Sequence, residues 1–316
     1  MISTMFREGI KMLYGVVEIL RKIIFPFLVA MAIFIASFPI LGQQISEEST
    51  VVSLDFAIAE TLFEVLDSPV AMGGVDNFRS WTGGGSVSAN LIDIGNLPYP
   101  NKELVSTLNV TAILIPLQFA YLEGSLSRIA PVKEFSPYSE SSMTSWEKML
   151  EFTKNIGIYV EREHEANLFI SDAEEYFRDV RGAYSFVSSP LLIIQFIDES
   201  HVRVYGENSL PGTVIDQLGL HNAWNGSSNR WGVSTISISE LFNYEAHLII
   251  VDTSHLTGRE AIQRGVMTSN IWSQLPSVQN DNFTLLNANF WVFGALPSAL
   301  RFAESLVEAL EEPTTP

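Results

Sequence analysis

Past residue 49 the chain alternates short continuous apolar runs with stretches that are apolar on one face only. Thr50 to Leu54 is β-branched and apolar, which predicts a strand. Asp55 then stands where a cap would start a helix over Phe56 to Leu66. Ser68-Pro69-Val70 breaks that helix and leads into a second short strand. Ile92 to Gly95 opens a loop over Asn96 to Pro100, and a helix is predicted from Asn101 to Leu108. Ala112 to Ile115 is apolar throughout, the mark of a strand covered on both faces. Ile129 to Val132 closes this region. Strands alternating with helices predict a parallel α/β lobe.

The pattern changes from Ser145 to about Ala183. Trp146, Met149, Leu150, Thr153, Ile156 and Val160 fall at helical spacing, with charges such as Glu161-Arg162-Glu163 on the other positions. This predicts one long helix, or two in tandem, joining two lobes. The strand style then returns. Leu191 to Phe196 and His201 to Tyr205 predict a strand pair turning at Asp198-Glu199. Pro211 starts a helix to Leu218, Ser239 to Phe242 begins another, and His247 to Val251 and Phe283 to Leu286 are predicted strands. A terminal helix follows Pro297, with Ala299, Leu300, Phe302, Ala303, Leu306, Val307 and Leu310 at helical spacing.

Ahead of these lobes, Arg21-Lys22 precede an uncharged apolar run from Ile23 to Leu41, and a polar segment begins at Gln43. The layout is that of a secretory signal over residues 1–42, with cleavage after Gly42. A retained membrane anchor is the alternative, because the run is near spanning length. The stretch before Arg21 is long for a signal, and Met12 is a second candidate start.

Length and composition narrow the function. The 316 residues suit two lobes, and 47% hydrophobic residues supply ample core. A formal charge of −18 argues against nucleic acid as a partner, since phosphate binding needs basic surface. The absence of cysteine removes disulfides, thiolate metal sites, cysteine nucleophiles and a lipid anchor on an N-terminal cysteine. The five histidines are scattered, with no His-x-x-x-His spacing. Gly83-Gly84-Gly85 lacks the lysine of a phosphate loop, and no Gly-x-Ser-x-Gly elbow occurs.

The segments VVSLDFAIAETLFEVLDSPVAMGG, IDIGNLPYPNKELVSTLNVTAILI and SRIAPV resemble the first lobe of the periplasmic iron-siderophore-binding proteins of ABC importers, the ferrichrome-binding family. NSLPGTVIDQLGLHNAWNGSSNRW (Asn208 to Trp231), ISISELFNYEAHLIIVD and FWVFGALPSALRFAESL resemble its second lobe. The resemblance spans Val51 to Leu310. It implies two Rossmann-like α/β lobes joined by a long rigid helix, the helical-backbone fold of such receptors. The expected bounds are 46–143 for the first lobe, 144–188 for the connection and 189–316 for the second. The implied role is capture of a ferric siderophore in the interlobe cleft and delivery to an inner-membrane ABC permease, by a monomeric periplasmic protein that is not an enzyme and carries no cofactor or metal of its own. Same-fold receptors for a corrinoid or haem, and a two-lobed metal-chelate enzyme, are the alternatives.

The resemblance also implies a site. The family's hydroxamate-binding arginine falls here on Leu97, which cannot donate hydrogen bonds to chelate oxygens. Tyr99 lies in the same loop, and Gln118, Phe119 and Tyr121 follow the strand ending at Ile115. From the second lobe come Trp224, Arg230, Trp231, Phe290 and Trp291, with Arg230 expected to replace the missing cation. Each aromatic has core packing as its alternative. Glu103 and Glu240, each near a predicted helix start, match the family's permease-docking glutamates; simple first-turn acids are the alternative.

Overall fold

A computed structural model describes residues 49–311 apart from 69, 83–90, 139–144, 185–186, 188 and 254–259. The expected leader over residues 1–42 and the Gly83-Gly84-Gly85 loop lie outside the described residues.

The first lobe is built on a parallel five-stranded sheet. Its strands are β1 (Thr50–Ser53), β2 (Val70–Met72), β3 (Leu91–Asp93), β6 (Val110–Ile115) and β7 (Val132–Glu134), in the order β3-β2-β1-β6-β7. A small hairpin, β4 (Gly95–Asn96) and β5 (Tyr99–Pro100), leaves the edge after β3. β1 is buried at every position, as the apolar run requires. Asp55 caps helix α1 (Phe56–Val65): its Oδ1 accepts from the backbone N–H of Ala57 at 2.8 Å and of Ile58 at 3.2 Å.

The second sheet runs β10-β9-β8-β11-β12. It contains β8 (Leu191–Phe196), β9 (His201–Tyr205), β10 (Val233–Ser237), β11 (His247–Asp252) and β12 (Phe283–Asn287). β8, β11 and β12 are parallel, whereas β9 pairs antiparallel with both β8 and β10. The strand pair expected around Asp198-Glu199 is therefore a true hairpin. Leu192 and Ile194 pack into one core, and Leu191 and Ile193 into the other, so both faces of β8 are covered.

The connecting segment is the tandem form of the two options: α2 (Ser145–Tyr159) and α3 (Glu163–Val180). Glu161 adopts φ 59° at the break. Gly157 lets the two helices touch, because a Cβ there would lie 2.3 Å from the Ala166 Cβ. None of the described helices is long and apolar enough to cross a membrane.

Helix α4 (Leu210–Gln217) starts at Ser209, whose side chain accepts from the Gly212 N–H at 3.0 Å. The terminal helix α5 (Leu296–Glu311) belongs by sequence to the second lobe but begins against α1 of the first. Glu60, 2% exposed, is the fastening. Its Oε1 accepts from Ala295 N–H at 2.9 Å, and its Oε2 accepts from Ser298 Oγ at 2.6 Å and from Arg301. Burial holds the Glu60 pKa above the usual carboxylate range, with the Arg301 charge acting against that rise. A second tie lies nearby: the Tyr138 hydroxyl donates to the Gly294 carbonyl at 3.0 Å.

Candidate functional site

The carboxyl ends of the parallel strands of both sheets open onto one cleft of about 360 Å³, within the range of small-ligand sites. The first-lobe wall is Asp55 after β1, Pro116 and Gln118 after β6, and Phe135 to Tyr138 after β7. The second-lobe wall is Arg203 on β9, Asn229, Trp231 and Val233 on the approach to β10, and Trp291 and Phe293 after β12.

Arg203 supplies a cation to this wall. Gln195 on β8 is its register partner. The Gln195 Oε1 accepts from Arg203 Nη1 at 2.7 Å and from the buried Tyr205 hydroxyl at 2.8 Å, while Gln195 Nε2 donates to Thr253 Oγ1 at 2.7 Å. Arg203 and Tyr205 share a face because they are two residues apart on one strand. Burial pushes the Tyr205 phenol up to about 12, against the opposing effect of the Arg203 charge, so it serves this network as a neutral donor. The Arg203 Cζ lies 5.5 Å from the Phe293 ring centroid, within cation–π range. Neutral groups thus fix the guanidinium on two sides.

The aromatic walls are fixed from behind. Trp291 makes edge contacts with Phe56 (5.3 Å), Trp81 (4.9 Å) and Phe293 (5.4 Å). Trp231 is 37% exposed and is positioned by its backbone. Asn229 Oδ1 accepts from Trp231 N–H at 2.9 Å and from Val233 N–H at 3.3 Å. The intervening Gly232 has φ 73°, and a Cβ there would sit 2.1 Å from Ser209 N, so no other residue fits this turn. On the facing wall, burial lifts Asp55 to a pKa of about 6, with the hydrogen bonds from Ile58 and Ala57 acting in the other direction.

Residues 51–289 match the periplasmic binding protein family. The chain belongs to that family. It is 25% identical over 268 residues to the iron(3+)-hydroxamate-binding protein FhuD of Escherichia coli K12, covering 84% of this chain and 88% of the relative. Among solved structures, the siderophore-binding protein FhuD of Vibrio cholerae bound to Fe3+–Desferal matches with a TM-score of 0.73 at 24% identity, over 84% of this chain and 98% of that one. The petrobactin-binding protein YclQ of Bacillus subtilis matches with a TM-score of 0.68 at 18% identity, over 84% and 93%. These two structures share the two-lobed α/β fold, and all three relatives are binding proteins.

Of the residues expected at the binding protein's site, Trp231 and Trp291 line the cleft, and so does Gln118. The others are placed elsewhere. Phe290 is fully buried and packs on Phe302 at 4.9 Å, because it points from the β12–α5 connection into the core. Leu97 packs with the Phe56, Met72 and Phe78 cluster rather than lining the cleft. Tyr99 (80% exposed) and Tyr121 (67% exposed) face solvent outside the cleft lining. Arg230 is exposed and stacks on its neighbour, with Cζ 4.1 Å from the Trp231 ring, so the expected replacement cation is not at the cleft wall. Trp224 is core: it stacks on Tyr244 and donates to Ser228 Oγ at 3.2 Å.

Arg203 lines the cleft and was not among the residues expected there. The signal was present in the strand pair itself, where a turn at Asp198-Glu199 sets Arg203 opposite Gln195. Among the described residues no group of three His, Asp or Glu side chains is placed to hold a metal ion directly.

Proposed function

We propose that this binding protein captures a ferric siderophore in the interlobe cleft and delivers it to an ABC permease in the inner membrane. The observation that carries the reading is the cleft wall itself. Trp231, Trp291 and Phe293 offer broad apolar surface, and Arg203 offers a fixed donor to chelate oxygens. The identity to the E. coli iron(3+)-hydroxamate-binding protein supports the same cargo class. Iron enters as part of the cargo, held by the chelator's own oxygens.

In this reading the protein is a monomeric receptor of the periplasm, neither an enzyme nor a nucleic-acid binder, and it needs no cofactor. Residues 1–42 act as the export signal. The lobes are 46–143 and 189–316, joined through 144–188. The Glu60–Arg301 and Tyr138–Gly294 ties between the lobes favour small lobe motion on binding. Glu103 and Glu240, both exposed, are the proposed permease contacts.

Titration of the purified protein with ferric siderophores tests the reading, with tryptophan fluorescence as the readout and cobalamin as comparator. Saturable quenching by a ferric chelate, absent with cobalamin, is the expected result. No response to any ferric chelate refutes it.

A further inference from the structure

We infer that Arg203 selects the charge of the cargo: the cleft is built for a ferric chelate that presents an anionic group to the second-lobe wall. This rests on the ferric-siderophore reading and adds to it which residue discriminates and which chemical class it favours.

Arg203 donates its hydrogen bond to the neutral Gln195 amide, and its other contact is the Phe293 ring. Among the described residues no carboxylate lies within ion-pair distance of it. Arg203 is half-buried before any ligand arrives. A ligand closing over it removes more water and leaves a covered charge. An uncompensated covered charge is costly, and a counter-charge on the ligand offsets that cost. A neutral chelate supplies only hydrogen-bond acceptors, and a cationic one adds repulsion.

Two other charges bear on the point. Asp55 lines the facing wall, yet its Oδ1 is held by two backbone N–H groups at the start of α1, which partly neutralise it. The chain as a whole carries −18. At physiological ionic strength the screening length is about 8 Å, so distant surface acids count little against a contact charge. The first-lobe position where the resemblance places an arginine is Leu97, packed among apolar side chains. Among the described residues lining the cleft the cation is Arg203, a strand residue held by its hairpin partner.

The test uses three ferric complexes that share one trihydroxamate core: ferrioxamine B with its ammonium tail, its N-acetyl derivative and its N-succinyl derivative. They present a cationic, a neutral and an anionic end on one unchanged iron-binding core, with tails that differ by no more than a succinyl group. Affinities are measured in 0.15 M NaCl for the full chain, for Arg203→Met and for Arg203→Lys, with thermal melts to confirm folding. The expected order in the parent is succinyl over acetyl over ammonium, with about tenfold between the extremes, as charged hydrogen bonds allow. Arg203→Met should weaken binding of all three complexes, the succinyl form most, and so abolish that order, and Arg203→Lys should retain part of it. A charge order that survives in folded Arg203→Met, or no charge order in the parent, overturns the inference alone. Failure of all three complexes to bind the parent overturns the inference, and the siderophore reading falls with it only when no other ferric siderophore quenches the tryptophan fluorescence. If Arg203→Met does not fold, the Arg203→Lys order and the parent order decide.

Discussion

Arg203 donates to Gln195 across the β8–β9 pair at 2.7 Å, and the same Gln195 oxygen also accepts from Tyr205 at 2.8 Å. The glutamine is therefore the orienting element of the cleft's second-lobe wall. Gln195→Leu removes the acceptor shared by both groups and leaves a fully buried phenol unpaired. A loss of about 1–3 kcal/mol in unfolding free energy is expected. Urea denaturation measures it, and an unchanged midpoint with unchanged chelate affinity contradicts the orienting role.

Asp55 makes stability depend on pH. Its folded pKa of about 6 lies above the ordinary 3.8, so the folded state binds more protons between those values. The contribution is fully present below about pH 4, is lost as pH rises through about 6, and is flat above. The interval corresponds to at most roughly 3 kcal/mol. Asparagine caps helices equally well, so Asp55→Asn should keep α1 and remove this slope. Denaturation midpoints of both proteins at pH 4.5, 5.5 and 7.5 check this. The variant should gain on the parent as pH rises, and a constant difference contradicts the assignment.

Glu60 fastens the terminal helix to the first lobe. Glu60→Ala removes the charged acceptor shared by Arg301, Ser298 and the Ala295 N–H. Breaking a buried pair from one side costs about 3–5 kcal/mol. The double variant Glu60→Leu/Arg301→Met should recover most of that loss, because it removes both charges together. Equal instability of the single and double variants in chemical denaturation would show that packing, rather than the charge pair, is what matters.

Glu103 and Glu240 are proposed to meet the permease. Glu240 also closes a capping box, its Oε1 accepting from Ser237 N–H at 3.0 Å, so Glu240→Ala should cost about 1 kcal/mol of stability. The double alanine variant should bind ferric chelate as the parent does but support little iron uptake in cells. Parental uptake by the double variant removes both residues from docking.

Much of the fold was legible because its signals are local. Asp55, Pro211 and the runs at Ala112 to Ile115 and Leu191 to Phe196 announce a cap, a helix start and covered strands from a few neighbouring residues. β10 carries a weaker signal, since Val233–Ser237 is interrupted by serines and threonine and is only partly covered. The site was half legible. Trp231 and Trp291 stand beside distinctive loops. Arg230 and Trp231 are adjacent in sequence, and adjacency alone does not say which of two neighbouring side chains turns into the cleft. Phe290 and Trp291 pose the same problem, and there the core took the first and the cleft the second. Arg203 was hidden because its role comes from register: only the pairing with Gln195 and the packing of Phe293 bring it to the wall.

Crystals grown with a ferric hydroxamate, measured at the iron absorption edge, locate the cargo. One anomalous peak is expected inside the cleft, bounded by Trp231, Trp291 and Arg203, with chelator oxygens within hydrogen-bond reach of the guanidinium. An iron peak on the outer surface, or a fully occupied chelate that leaves Arg203 and both tryptophans untouched, would contradict the proposed site.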